Sequence, residues 1–563
     1  MKRLGIWVIL TVLGIGIVAA WFRGVDAETP VLPPLVVGEV YSTQGRPVTG
    51  ADVLFKDPVT GKVMGKAVSQ GDGRFALHVS QIPDRAVVQV HRAHFREQTV
   101  SLSVQDMQRL RTEGTVALPR ITLEREQGAA FWAATLAFIL MLVFIATGRL
   151  HNTLAALTGT SLIFAVSYLG GWVYPDLYIF DFERAITYVD WNVIFLIMGM
   201  MIVIAILERT GIFQWLAFAS YRLSGGRGWL LLPILMMITG ITSAFLDNVT
   251  TMLLMAPISV EIALALDMNP LALLVPEVMA SNVAGVSTLV GTPTNILIAS
   301  YANITFDDFL VNLTPGVFLA LLGLILYSEF VYWQDLKAAS TTTDVLFRKL
   351  EEHARITDKE TLKKAGVVGV GMLVLFIFGE PFHLLPAVTA LMGATVLLLW
   401  VKPNIEEMIE AVDWTTLVFF MSLFIVIGAI QEVGLIDFLA DVIGRIVQTH
   451  KIFAMVLIMW SGAFLSAVVD NIPFTAAMLP VIGTLTGHIP AAGDKSLFYC
   501  LSVGSAFGGN GSLIGSSPNL VTAGIAERAG YPMTYVYFLK KGVPAVVITV
   551  FLAGLWLLFH FGL

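Results

Sequence analysis

The sequence predicts an all-α polytopic membrane protein built from two inverted repeats with re-entrant hairpins and broken helices, preceded by a small all-β sandwich domain. Three observations predict it. Hydrophobic residues fill 56% of the 563 positions and charged residues only 13%, with a mean hydropathy of +0.79; soluble domains carry about a quarter charged residues. The charges lie between apolar runs, and each run approaches the roughly 20 residues needed to cross a hydrocarbon core of ~30 Å. Finally, the second half repeats the first at a fixed offset. A soluble enzyme with a large buried core would scatter its charges. The net charge of −7 offers nucleic acid no basic surface. The single cysteine, Cys500, excludes an internal disulfide and a cysteine-rich metal site.

Residues 1–27 read as a signal peptide or signal anchor. Lys2 and Arg3 precede an apolar stretch from Leu4 to Phe22, and Val25-Asp26-Ala27 follows. The basic end then stays in the cytoplasm, and residues 31–125 lie on the exported side, periplasmic if the membrane is a bacterial inner membrane. In 31–125 short alternating runs (Leu35 to Val40, Ala51 to Phe55, Phe75 to Val79, Ala86 to Val90) are split by Gly45-Arg46-Pro47 and Asp72-Gly73. Period-two alternation between turn residues predicts a β-sandwich. Gly38, Gly45, Gly50-Ala51 and Asp72-Gly73-Arg74-Phe75 give it a resemblance to the carboxypeptidase-regulatory-like β-sandwich. His91, His94 and Glu97 read as a solvated strand edge, and the domain is assigned no chemistry.

The first repeat, 128–333, predicts crossings at Ala129–Thr147, Leu154–Val173, Val189–Leu207, Leu271–Ala302 and Pro315–Trp333, with a broken pair within Trp229–Leu266. A charged cytoplasmic linker, 334–364, follows. The second repeat, 365–563, predicts crossings at Ala365–Phe378, Leu384–Val401, Trp414–Ile430, Leu497–Ala526 and Gly542–Leu563, with a broken pair within Ile452–Leu485. Asp190-Trp191 recurs as Asp413-Trp414, Gly211 as Gly434, Asp247-Asn248 as Asp470-Asn471 and Pro257 as Pro480, all offset by 223 residues. Gly291 and Asn295 recur as Gly515 and Asn519 at an offset of 224. Such a register means duplication. If each broken pair is a re-entrant hairpin, Arg149, Arg209, Arg222, Arg227, Arg528, Lys540 and Lys541 all fall inside with the linker, and Arg445 and Lys451 are the exceptions. Each repeat then crosses an odd number of times, and the second is upside down. Inverted repeats with broken helices place a transport site near the bilayer midplane.

The candidate site has two kinds of element. Ser243, Asp247, Asn248 and Thr250 in the first repeat, and Ser466, Asp470, Asn471 and Thr475 in the second, put a carboxylate and an amide in the middle of an apolar stretch. A charge there costs at least ~2.5–3.5 kcal/mol, which is tolerable when the group faces a cavity, a cation or a proton. The alternative is an aspartate that caps a half-helix, and both roles remain open. Asn282, Gly291, Thr292 and Asn295, and in the twin Asn510, Gly515, Ser516 and Asn519, lie among glycines and prolines that unwind a crossing and expose carbonyls and N–H groups to an ion. A phosphate-binding glycine loop is excluded, since no lysine follows the glycines. Glu277 is a third candidate, for proton coupling beside Asp247 and Asp470. Its counterpart reads as Cys500, so it breaks the symmetry. Glu208, Glu261, Asp267 and Glu432, at crossing ends, read as solvated.

At these motifs the chain resembles the ArsB/NhaD-type ion transporter superfamily, with its citrate-transporter-like domain, and within it the melanocyte P protein branch. Ser243-Ala-Phe-Leu-Asp247-Asn248-Val-Thr-Thr, Asp470-Asn471-Ile-Pro-Phe-Thr and Gly508-Gly509-Asn510-Gly511-Ser-Leu-Ile-Gly515 carry the likeness, which spans about 129 to 563. It implies a homodimer and an elevator movement, with two clasps at the hairpin tips closed by the helix breaks. Dicarboxylate carriers of the superfamily have serine where Asp247 and Asp470 stand, which argues against a dianionic substrate. The expected function is a secondary active transporter exchanging sodium, or another cation, for protons across the lipid bilayer. Sodium would sit at Asp247, Asn248, Asp470 and Asn471; sodium or protons are the coupling ions, and no organic cofactor is expected. One alternative is an anion permease for chloride, a carboxylate or arsenite, coupled to sodium or protons. Another is an exported sensor or docking domain on a membrane anchor. No nucleophile–base set or metal-ligand spacing points to an enzyme.

Overall fold

The computed structural model describes residues 33–43, 45–338 and 355–562. The expected signal or anchor at 1–27, and 339–354 of the linker, lie outside the described residues. The chain forms two compact units, one up to Gln127 and one from Gly128.

The first unit is the expected sandwich. Strands β1 (Leu35–Ser42), β2 (Asp52–Lys56), β3 (Val63–Val68), β4 (Arg74–His78), β5 (Val87–His91), β6 (Gln98–Ser101), β7 (Thr115–Ala117) and β8 (Ile121–Leu123) form two sheets. One runs β3-β2-β5-β6; the other runs β4-β1-β7, with β8 also paired to β1. Alternate residues point inward, so Val53, Phe55, Leu77, Val88 and Val90 are fully buried in one core. Strands β3 and β6 escape a hydrophobicity reading because few of their residues enter that core. So does helix α1 (Val104–Thr112), which Ser103 and Asp106 start with a reciprocal capping box.

In the second unit the first repeat comprises α2 (Ala129–Thr147), α3 (Asn152–Val173), α4 (Phe182–Ile186), α5 (Trp191–Glu208), α6 (Ile212–Ser224), α7 (Gly228–Ser243), α8 (Asn248–Ala265), α9 (Leu271–Ala284), α10 (Pro293–Ala302) and α11 (Phe306–Ala338). The second repeats it in order: α12 (Lys359–Phe378), α13 (Pro386–Val401), α14 (Ile405–Glu410), α15 (Trp414–Glu432), α16 (Leu435–Val447), α17 (Lys451–Ser466), α18 (Asn471–His488), α19 (Ser496–Gly508), α20 (Ser517–Arg528) and α21 (Tyr535–Gly562). Among the described residues eight helices are long and apolar enough to cross a membrane. Their exposed faces are apolar too, with Trp132, Leu136, Val367 and Val370 turned outward.

The recurrent sequence marks now have causes. Asp190 caps α5, its Oδ1 accepting from the N–H groups of Asn192 (3.0 Å) and Val193 (3.3 Å), and Asp413 caps α15 through the Thr416 N–H (3.1 Å). Gly211 (φ +75°) and Gly434 (φ +93°) turn the chain from each long helix into a shorter amphipathic one, α6 or α16, in the left-handed region that favours glycine. Those amphipathic helices were not expected from apolar runs. Helices α11 and α21 start earlier than expected, because Pro315 and Pro544 sit inside them rather than at their ends.

Helix contacts are reciprocal. α3 packs on α15 as α5 packs on α13; α4 meets α15 as α14 meets α5; α8 meets α20 as α10 meets α18; and α11 packs on its own counterpart α21. Reciprocity of this kind is a pseudo-two-fold axis. With each hairpin counted as re-entrant and each broken helix as one crossing, every repeat crosses an odd number of times, which puts that axis in the membrane plane and makes the repeats inverted. The contacts also sort the helices into a scaffold group (α2–α5, α12–α15) and a core group (α7–α11, α17–α21).

The same axis relates two ion pairs whose charges are exchanged. Arg184 on α4 contacts Glu432 at the end of α15 (3.4 Å), while Glu407 on α14 contacts Arg209 just past the end of α5 (2.7 Å). Positions 184 and 407, and 209 and 432, are each 223 apart. Glu432 is therefore not solvated as expected: it is 8% exposed and also bonded by the Tyr188 hydroxyl. Hydrogen bonds from Arg209 and Asn404 hold the Glu407 carboxyl below the usual carboxylate range. Arg184→Ala should cost about 1–3 kcal/mol, the low end for a disrupted buried pair because the guanidinium is half in solvent. Thermal unfolding in detergent should show a larger loss for Arg184→Ala than for Glu407→Ala. The exchanged pair Arg209→Glu with Glu407→Arg should recover the loss of either single change.

Candidate functional site

Helix α7 ends at Ser243, and after a four-residue turn Asp247 caps α8. Its Oδ1 accepts from the N–H groups of Val249 and Thr250 (both 3.0 Å) and its Oδ2 from the Thr250 hydroxyl (2.6 Å). Asp470 starts α18 differently. Proline stands at 473, the counterpart of Thr250, and offers neither an N–H nor a hydroxyl. Asp470 Oδ1 accepts from Ile472 N–H (3.0 Å), and Oδ2 is left to receive the Ser517 hydroxyl (3.0 Å) and the Asn152 side-chain amide (3.5 Å). Asp247 is a half-buried cap. Asp470, 5% exposed, ties α18 to α20 and to α3 of the scaffold group.

The broken crossings are held by asparagines. α9 ends in a 3₁₀ turn, Gly285–Ser287, and α10 begins at Pro293; α19 ends in Gly509–Gly511, and α20 begins at Ser517. Carbonyls freed by such breaks have no water in a bilayer core and need protein donors. Asn295 Nδ2 donates to Val286 O (2.9 Å) and Thr288 O (2.7 Å); Asn519 Nδ2 donates to Gly509 O and Ser512 O (both 2.9 Å). Gly291 and Gly515 lie so close to the carbonyls of Ser243 and Ser466 that a Cβ at either would press on hairpin backbone.

Between these elements lies a buried amide cluster. Asn248 Nδ2 donates to Asn282 Oδ1 (2.9 Å), and Asn282 Nδ2 donates across the repeats to Asn510 Oδ1 (2.8 Å) and Asn519 Oδ1 (3.1 Å). Asn510 Nδ2 returns to Met279 O (3.1 Å), and Ser502 Oγ donates to Asn295 Oδ1 (2.5 Å). Ser516 Oγ reaches Asn282 Oδ1 at 3.4 Å. Ser243 Oγ lies 3.0 Å from both Asn248 Oδ1 and Ser281 O, and Ser281 Oγ donates to it (2.9 Å). The cluster thus unites Ser243, Asn248, Asn282, Asn510, Ser516 and Asn519; Asn295 is joined instead to Ser502 of α19.

Other expected site residues serve locally. Ser466 Oγ donates to Ser505 O (2.5 Å), Thr475 Oγ1 to Asn471 O (2.7 Å), and Thr292 caps α10 at Thr294 N–H (3.2 Å). Thr250 is spent on Asp247. Asn471 is buried, but no bond joins its side chain to the cluster among those described. Ser517 was missed although it lies inside the Gly515–Asn519 motif. Asn152, far away in sequence, carried no local signal.

Glu277 is fully buried on α9. Its Oε1 accepts from Thr239 Oγ1 of α7 (2.9 Å), and its Oε2 has no hydrogen-bond partner. The twin bonds Ser243 Oγ to Ser281 O and Ser466 Oγ to Ser505 O fix the register of α9 against α19 at 224. The counterpart of Glu277 is therefore Leu501, not Cys500: a residue lies between Pro480 and α19 that the offset of 223 does not count.

The family described as citrate transporter matches residues 141–494, leaving the β-sandwich outside. An uncharacterized transporter of Mycobacterium tuberculosis is 34% identical over 423 residues, covering 75% of this chain and 96% of its own. One from Synechocystis is 30% identical over 448 residues, with the same coverage. The human P protein is 30% identical over 479 residues, and the aligned part spans 56% of that protein. Among solved structures the Alcanivorax borkumensis YdaH transporter aligns at a TM-score of 0.50 with 14% identity, over 76% of this chain and 99% of its own; that likeness concerns the fold.

Asn519→Ala would take the amide donor from Gly509 O and the acceptor from an Asn282 N–H, at about 1–3 kcal/mol each, and leave Ser512 O with the Gly515 N–H alone. A large drop in the unfolding temperature is expected. Thr522→Ala, which removes only a bond to the Pro518 carbonyl one turn back, should change it little.

Proposed function

The chain belongs to the citrate transporter family, and on that premise we propose that it is a secondary active transporter exchanging sodium, or a similar small cation, for protons. The observation that carries this reading is Asp470: a carboxylate almost wholly buried, forming no ion pair among the described residues, and bonded to both helix groups. A bare negative charge in such surroundings is expensive. A proton or a cation removes the cost, and one carboxylate does not hold both. Mutual exclusion couples their fluxes. Hard cations favour oxygen ligands, and the neighbouring Ser517, Asn152, Asn471 and amide cluster offer them. Asp247, with its Oδ2 on one hydroxyl, is the second carboxylate of the cycle.

The movement we propose is an elevator shift of the core group against the scaffold group. The Asp470–Asn152 contact bridges the two, so its loss or reformation would report the shift. We further propose a homodimer in a bacterial inner membrane, with residues 31–125 on the periplasmic side. A second reading has one specific support. The family is named for citrate, and the N-termini of α10 and α20 at the breaks have the polarity that receives an anion. In that case the carboxylates would couple an anion to sodium or protons.

Reconstituted into vesicles, the protein should move sodium or lithium against an imposed pH gradient, and the flux should fall when both faces are acidified, because protons then outcompete the cation. Asp470→Asn should abolish the flux, and Asp247→Asn should lower it. Undiminished flux in both variants would sink the reading. Citrate, chloride or arsenite uptake driven by a sodium or proton gradient would favour the anion reading. Flux that survives deletion of 31–125 would make the β-sandwich an accessory rather than a sensor.

A further inference from the structure

The two repeats differ chemically at one buried place. In the first, Glu277 on α9 accepts from Thr239 on α7; in the second, the same two positions are Leu501 and Gly462. Both members of the pair are exchanged together, so the acid and its donor form a unit that one repeat has and the other lacks. Glu277 Oε1 is satisfied, and Oε2 is buried without a partner. Ser259 of α8 is the other polar neighbour acting on this carboxyl. Its hydroxyl donates to Met255 O (3.2 Å), so its oxygen can accept from a protonated carboxyl, while the same hydroxyl can turn to donate to an ionised one. A protonated Glu277 can complete the set by donating from Oε2; an ionised Glu277 leaves a charge with no opposing cation.

Among the described residues no hydrogen bond or ion pair joins Glu277 to a charged group. α7 carries none. The titratable groups on the other helices packed around it include Glu261 on α8, Asp307, Asp308, Glu329, Asp335 and Lys337 on α11, Tyr499 and Cys500 on α19, Glu527 and Arg528 at the end of α20, and Lys540 and Lys541 on α21. The amide cluster begins one turn away. One turn along the same two helices, Ser281 follows Glu277 and Ser243 follows Thr239. Ser281 donates to Ser243, and Ser243 touches the Asn248 amide, which donates to Asn282. The Glu277–Thr239 pair and the bonded residues shared by both repeats thus lie on the same two helices, one turn apart, with no hydrogen bond between them among those described.

We propose that Glu277 is a proton-binding site whose charge is sensed at the amide cluster, so that a proton on Glu277 and a cation at the cluster exclude one another. The cation is drawn in when Glu277 has given its proton to water, because the carboxylate left behind attracts it through a medium of low dielectric constant. The proton returns when the cation leaves. This rests on the cation/proton reading above and adds to it, beside Asp470, a further proton-carrying group that only one repeat has.

Two measurements test it. Difference infrared spectra of the wild type should show the carbonyl band of a protonated carboxyl that disappears on addition of sodium or lithium and is absent from Glu277→Gln. In vesicles, Glu277→Gln should lose sodium–proton exchange by about tenfold or more, as expected for site-to-site coupling, and the remaining flux should respond less steeply to acidification, the part that stays being that of Asp470. Thr239→Val, which keeps the acid and removes its donor, should shift both the band and the pH profile. Exchange in Glu277→Gln with the wild-type pH profile would overturn the proposal, as would a wild-type spectrum without the band. If the wild type carries neither sodium nor lithium, the functional reading fails by itself. A wild-type band that Glu277→Gln removes would then still establish the proton site.

Discussion

A helix that stops inside a bilayer leaves carbonyl and N–H groups where water cannot meet them, and that debt organises the centre of this protein. Asn295 and Asn519 each use both amide hydrogens on carbonyls of the break just before them. The side-chain oxygens that remain face the other repeat, where Ser502 and Asn282 bond them. Local repair of a broken helix therefore also joins the halves. Glycine at 291 and 515 is needed for the same reason: the hairpin can approach the break closely enough only if no Cβ stands between them. Close backbone packing, amide repair and contact between the repeats are three aspects of one constraint.

Much of this was legible in the sequence because membranes impose coarse rules. Helix α2 was expected at its observed limits, and the Asp-Asn pairs do lie where two helices meet at a tip. Asn282, Asn510, Ser516 and Asn519, expected at the breaks, enter the cluster because broken crossings require polar side chains, and few occur elsewhere in apolar stretches. Amphipathic α6 and α16 were passed over since half of each is polar, which a search for apolar runs rejects. Contacts between distant segments were invisible. Asn152 and Asp470 are 318 positions apart, and nothing near Asn152 announces it. The exchanged pairs Arg184–Glu432 and Arg209–Glu407 could have been found by asking which charges trade places at the repeat offset. Inspection for identical residues alone hides them.

The duplicated aspartates show how equivalent positions acquire different work. At the first tip, threonine at 250 supplies both an N–H and a hydroxyl, and Asp247 accepts three hydrogen bonds from its own helix. At the second, proline at 473 withdraws both donors, and one carboxylate oxygen turns outward to α20 and α3. The third residue after the aspartate thus decides in each copy where the second carboxylate oxygen goes, to its own helix or to other elements. Both cap, but only Asp470 has an oxygen committed to other elements.

Departures from symmetry are informative because the symmetric contacts are so complete. A pseudo-two-fold assembly could run with identical halves, each exposing its site to one face in turn. Random drift would alter single residues and leave unmatched partners behind. Here the changes come as matched sets: Thr250 with Pro473 beside an aspartate that finds new donors, and Thr239 with Glu277 against Gly462 with Leu501. An apolar pair filling the second copy removes any unpaired hydroxyl there, and the first copy retains an acid at the cost of one unpartnered oxygen. That buried, unpartnered oxygen is the observation behind the proton site proposed for Glu277. In the cycle we propose, the inverted duplication would supply the alternating geometry, and the paired exceptions the chemistry that identical halves would lack.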